Sequence, residues 1–151
     1  MSLSLAAALG VMAVSQLFKL ARYSIRDRRF SISHLLSTGG MPSAHSAFVT
    51  ALAVSVGLWQ GLGSDVFAAC AVFGSIIVYD SIRLRGTVDI HTRILRDLQA
   101  RTPGSLDIVI PRWVGHTVAE TAAGIIVGSA AAAAVYLALR GVLPGGVVPL
   151  P

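Results

Sequence analysis

The stretch GHTVAETAAGIIVGSAAAAAVYLAL, residues 115–139, carries one carboxylate, Glu120, and then runs to Leu139 without another charge. A helix of about 20 mostly apolar residues crosses the roughly 30 Å of bilayer hydrocarbon, so this run reads as a transmembrane span. Working outward, residues 3–20, 42–62 and 66–82 have the same character. The first of these has no Lys or Arg before its apolar part and reads as a retained span rather than a signal peptide. The whole chain agrees: of 151 residues 54% are apolar, mean hydropathy is +0.74, and only 13% are charged. A soluble globular domain carries about 25% charged residues, so both a disordered chain and an ordinary water-soluble domain are disfavoured. The expected fold is all-α, a polytopic integral membrane four-helix bundle forming a single domain over residues 1–140. Residues 141–151, rich in Gly and Pro, read as a flexible tail.

Spans alternate in direction, so the ends of spans one and three share a face of the bilayer with the starts of two and four. Lys19, His45, Asp80, His116 and Glu120, the ionisable residues within or at the edge of spans, therefore come to one depth. Ionisable groups in membrane spans are costly and mark functional sites. Eleven of the 12 Lys and Arg residues lie at that face, and only Arg140 lies at the other. The positive-inside rule puts the face in the cytoplasm, and the protein is expected to be a multi-pass protein of the plasma (inner) membrane. In the loop that follows span three, Val88, Ile90, Ile94, Leu95 and Leu98 alternate with Asp89, Arg93, Arg96 and Asp97, the pattern of a short amphipathic helix on the membrane surface. Pro103-Gly104 ends it.

The net charge of +5 would point to nucleic acid in a soluble chain. Here the cations lie between apolar runs, so lipid headgroups and phosphate-bearing substrates are the expected partners, and nucleic acid is not. The single cysteine, Cys70, sits in the apolar run 67–78 as a small hydrophobe and excludes multi-cysteine metal sites.

The richest motif is GGMPSAHS, residues 39–46. Two glycines let the backbone turn tightly, and Pro42 suits the first turn of a helix, where its missing N–H costs nothing. The helix start then presents free N–H groups to an anion. Ser43 and Ser46 add hydroxyls beside His45. The second motif is GHTVAE, residues 115–120, in which His116 and Glu120, four apart, are expected to share a helix face. A carboxylate bonded to one imidazole nitrogen raises the basicity of the other, which prepares a nucleophile or base. Lys19, Arg22, Arg26, Arg83, Arg85 and Arg112 surround these motifs and suit phosphate oxygens, with Asp80 placed to orient Arg83. Arg28 and Arg29 read as solvated loop charge, and His34 and His91 as surface residues. A metal held by His45, His116, Glu120 and Asp80 is the chemical rival, disfavoured because the cations would repel it. Gly124 and Gly128, with Ala132, make a small-residue stripe for close helix packing.

Together GGMPSAHSA, VYDSIRLR (residues 78–85) and GHTVAE resemble the type 2 phosphatidic acid phosphatase superfamily, which includes lipid phosphate phosphatases and vanadium haloperoxidases. More closely, they resemble its divergent bacterial and plant branch of small membrane proteins, over residues 16–128. The superfamily's motifs are KxxxxxxRP, PSGH and SRxxxxxHxxxD. Lys19 and Arg26 match the first with Asp27 for proline, and Pro42-Ser43-Ala44-His45 matches the second with Ala44 for glycine. His116 and Glu120 match the end of the third with glutamate for aspartate, whereas Val109 and Ile110 stand where the Ser-Arg pair would be. The missing arginine is then expected from Arg83 or Arg85, with Arg112 third.

The resemblance implies a metal-independent hydrolysis without cofactor. His116 would attack phosphorus, Glu120 would orient it, and His45 would protonate the leaving oxygen. Lys19, Arg26, Gly40, Ser43 and Arg83 or Arg85 would hold the phosphate, supported by Asp80, Ser46 and Arg112. The expected function is a phosphatase acting on a lipid phosphate or isoprenoid diphosphate. The alternative is a non-catalytic protein binding anionic headgroups in the same pocket. A proton relay is disfavoured because the residues sit at one face rather than across the span. Ordinary membrane members have six spans, so a homodimer is expected to complete the packing of these four.

Overall fold

The computed structural model describes residues 2–28, 30, 40–102 and 117–141, and at Leu84, Arg85 and Asp89 the backbone path. Among the described residues the regular structure is entirely helical: α1 (Leu3–Asp27), α2 (Ala44–Gln60), α3 (Asp65–Arg101) and α4 (Val118–Leu139). Three of these, α1, α3 and α4, are long and apolar enough to cross a membrane, and α2 has 17 residues. The chain is thus an all-α membrane helical bundle.

Each helix begins at a hydroxyl cap. Ser2, Ser43, Ser64 and Thr117 accept from the backbone N–H of Leu5, Ser46, Phe67 and Glu120, satisfying donors that a helix start leaves open. At α4 the cap is reciprocal. The Thr117 Oγ1 accepts from Glu120 N–H at 3.2 Å, and Glu120 Oε2 accepts from Thr117 N–H at 3.1 Å. α2 ends at Gly61, whose φ of 88° lets the chain reverse into α3.

The shortest helix is the central one. Ala44, Ser46, Ala47, Val49, Ala51, Ser55, Val56 and Gly57 of α2 are buried, and α2 packs on all three others, most extensively on α4. The two run parallel, since the Ser43 N–H donates to the Glu120 carbonyl at 2.9 Å at one end. At the other, Trp59 and Tyr136 meet edge to face with ring centroids 5.0 Å apart. Gly124, Gly128 and Ala132 form the buried stripe of α4 against this neighbour. A Cβ at Gly124 would lie 2.5 Å from the Ser43 carbonyl oxygen, and one at Gly128 would overlap the Ala47 carbonyl oxygen. Backbone contact this close is how apolar helices associate where no hydrophobic effect drives them together. α1 contributes a second buried stripe, Ser4, Ala8, Val11, Ser15 and Lys19, spaced three and four apart.

Several boundaries differ from the sequence reading. α1 continues to Asp27, so Arg22 and Arg26 stand on a helix rather than in a loop. Pro42 precedes the Ser43 cap instead of opening the first turn, and α4 starts at Val118 rather than at residue 115. The amphipathic stretch 88–98 is helical but is no separate element: α3 runs unbroken through 37 residues, about 55 Å, against a hydrocarbon core of about 30 Å. Phe73, Ile76 and Tyr79 are exposed on it, and the hydroxyls of Ser75, Ser81, Thr87 and Thr92 bond to carbonyls of their own helix. That leaves no hydroxyl among these four unsatisfied where lipid cannot serve.

Candidate functional site

The end of the bundle where α2 and α4 begin gathers the polar side chains. Docking of the Ser43 N–H on the Glu120 carbonyl joins the segment that carries His45 to the one that follows His116. Ser43 and Ser46 are fully buried, and the Ser43 Oγ accepts from the Ser46 N–H at 3.3 Å and from its hydroxyl at 3.0 Å. His45 is exposed on the first turn of α2, so its imidazole stands beside the positive end of that helix.

Lys19 comes from the end of the α1 stripe. It is 3% exposed, and the Glu120 carboxylate acts on it electrostatically. Removing an ammonium from water is costly unless an anion faces it. One turn further along α1, Tyr23 places its hydroxyl where a Cβ on Gly40 would be. Gly40 has a φ of 87°, so both conformation and space demand glycine there. The Thr121 hydroxyl, next to Glu120, is buried without a hydrogen-bond partner among the described residues. Buried hydroxyls and a buried cation thus share this end of the bundle, and charge-assisted donors of this kind suit an oxyanion.

Other expected residues stand apart from this enclosure or outside the description. Arg26 is exposed, with its Nε donating to Asp27 Oδ1 at 2.8 Å and its guanidinium 4.9 Å over the Tyr23 ring. Asp80 and Arg83 are exposed on α3, the helix that touches α4 least. His116, Arg112 and the side chain of Arg85 lie outside the described residues. α4 begins at Val118 with Thr117 as its cap, and the expected His116–Glu120 pair involves a residue outside the described ones. Glu120 closes the capping box. Among the described residues no three His, Cys, Asp or Glu side chains converge as a metal site would need.

Two participants escaped the sequence reading. Thr117 was legible, since Thr-x-x-Glu is the capping-box signature. Tyr23 had only its position one turn from Lys19 to mark it; its contact with Gly40 is tertiary.

The fold defines a membrane-embedded helical bundle with buried polar side chains gathered at one end. The chain belongs to the Divergent PAP2 family, whose model matches residues 2–131. It is also 41% identical over 81 residues to the uncharacterized membrane protein YuiD of Bacillus subtilis (strain 168). That match covers 54% of this chain and 51% of YuiD, so the chain spans about half the length of the curated relative it matches. No solved structure matches the chain significantly.

Proposed function

We propose that this chain is a membrane phosphatase that hydrolyses a lipid phosphate or isoprenoid diphosphate through a phosphohistidine intermediate, without a metal. The observation that carries the reading is the Ser43–Glu120 backbone bond, which ties the start of α2, with His45, to the start of α4, whose Glu120 carboxylate acts on buried Lys19. In the first step a nitrogen of His116 bonds to phosphorus as the phosphorus–oxygen ester bond breaks, and His45 gives a proton to the departing lipid oxygen. In the second, water attacks the phosphohistidine, His45 takes its proton, and inorganic phosphate leaves. Lys19 and the α2 N-terminus hold the phosphate oxygens, with Arg85 or Arg112 as the candidate arginine, and this is where phosphoryl transfer gains most of its rate. Membership of a family described as PAP2-like supports the reading. The charge bias of the chain supports a site facing the cytoplasm at the plasma (inner) membrane.

The test is phosphate release from a panel of lipid phosphates by purified protein in EDTA. Release by wild type that disappears in His116→Ala and in His45→Ala supports the proposal; release that survives both substitutions overturns it. One observation favours the non-catalytic alternative: the Glu120 carboxylate accepts from the Thr117 N–H, a helix-capping role it can fill without chemistry. A binding protein would keep its affinity for phosphate in His116→Asn, with no turnover in wild type.

A further inference from the structure

A groove of about 460 Å³ runs between α1 and α4, walled by Leu3, Gly10 and Val14 on one side and Val127, Ala131 and Leu139 on the other. Ser15 is the one polar side chain in its lining. That serine is 3% exposed and its hydroxyl has no partner among the described residues, whereas Ser75, Thr87 and Thr92 return theirs to a carbonyl one turn back. A buried hydroxyl without a partner in apolar surroundings marks a place where something else supplies the acceptor.

The Ser15 end of the groove lies toward the polar site. Ser15 lies one turn before Lys19 on the buried stripe of α1, and Glu120 lies two turns before Val127 on α4. From Ser15 the α1 wall descends to Leu3, twelve residues or about 18 Å, more than half the depth of the hydrocarbon. Its occupant must be apolar and elongated, with an oxygen at the level of Ser15 and an anion at the level of Lys19. We infer that this groove binds the hydrocarbon tail of the phosphorylated lipid, with the Ser15 hydroxyl donating to the oxygen that joins tail to head. The phosphorylated head rests on the reading proposed above; the groove itself does not.

The test uses a long-chain alkyl phosphate with a diazirine at the end of its tail, photolysed with the full-length protein in lipid nanodiscs and mapped by mass spectrometry. The label should fall on Leu3, Ala6 and Leu139 several-fold above lipid-facing Phe73 and Ile76. Excess unlabelled alkyl phosphate should remove it, and the matching alcohol should compete poorly. A Cβ at Gly10 meets no atom within 4 Å and Gly10 lines the groove, so Gly10→Trp puts an indole into it and should cut the groove label several-fold while sparing α3. Val14→Trp is the second variant, since Val14 is also exposed on the groove wall. Equal labelling of groove and α3, indifference to competitor and to both tryptophans, or cross-links from the groove to a second copy would overturn the inference. Phosphate release is read from the same samples. Groove labelling without release leaves the groove standing and removes the phosphatase reading, whereas release without groove labelling removes the groove.

Discussion

Adding a single methyl group at Gly124 or Gly128 tests whether α2 and α4 meet backbone to backbone. At Gly124 the new Cβ would lie 2.5 Å from the Ser43 carbonyl oxygen and 3.2 Å from the Ala47 nitrogen; at Gly128 it would overlap the Ala47 carbonyl oxygen. Ordinary contact begins at 3.4 Å, and backbone atoms cannot rotate aside, so α2 must retreat by close to an ångström along two turns. Overpacking of this kind costs about 1–3 kcal/mol, and alanine returns up to ~1 kcal/mol of helix propensity. The Ser43–Glu120 bond, with a net worth of about 1 kcal/mol, lies at the point of strain. Each variant should therefore lose ~1–2 kcal/mol in reversible unfolding by SDS in mixed micelles, with Gly124→Ala also losing the anion site. Gly10→Ala, which meets open space, is the control and should be neutral or slightly stabilising. Gly124→Ala and Gly128→Ala variants as stable as Gly10→Ala would refute the packing.

Gly40→Ala should destabilise the site through both the positive φ and the Tyr23 hydroxyl, and Tyr23→Phe in the same chain should restore part of the loss; strictly additive effects on thermal unfolding would contradict the contact. Thr117→Ala removes one arm of the capping box and should cost about 1 kcal/mol in the same SDS titration, and no change would show that the box carries no weight. Lys19→Met replaces a buried ammonium with an apolar chain of similar length. It should leave stability equal or raised while abolishing vanadate binding measured by calorimetry, and retained binding would remove Lys19 from the site.

The membrane bundle was legible because lipid imposes its requirement residue by residue: long runs without charge cannot be much else. Close packing on α4 was legible too, through the four-residue spacing of Gly124 and Gly128, but that α2 is the helix packed there was not. The length of α3 was not. Arg83 and Arg85 end the apolar run, and hydropathy reads that as the end of a helix, whereas backbone hydrogen bonding continues through Gly86 because neither proline nor a cap interrupts it before Thr102. At the start of α4 the same six residues held two patterns, His-x-x-x-Glu and Thr-x-x-Glu. The local bond closed the second, because the orphan N–H groups at a helix start take the nearest acceptor. Lys19, Ser43 and Ser46 were singled out by type and depth, but the burial of all three depends on how α1 and α4 enclose α2, which no spacing within one segment reports.

The central claim is covalent, and rapid quenching of the protein with a lipid phosphate bearing labelled phosphorus tests it most directly. The account predicts an acid-labile, base-stable label on His116 that forms in EDTA, decays as phosphate is released, and is absent from His116→Ala. Phosphate release with no labelled protein at any quench time, or a label that persists in His116→Ala, would contradict it.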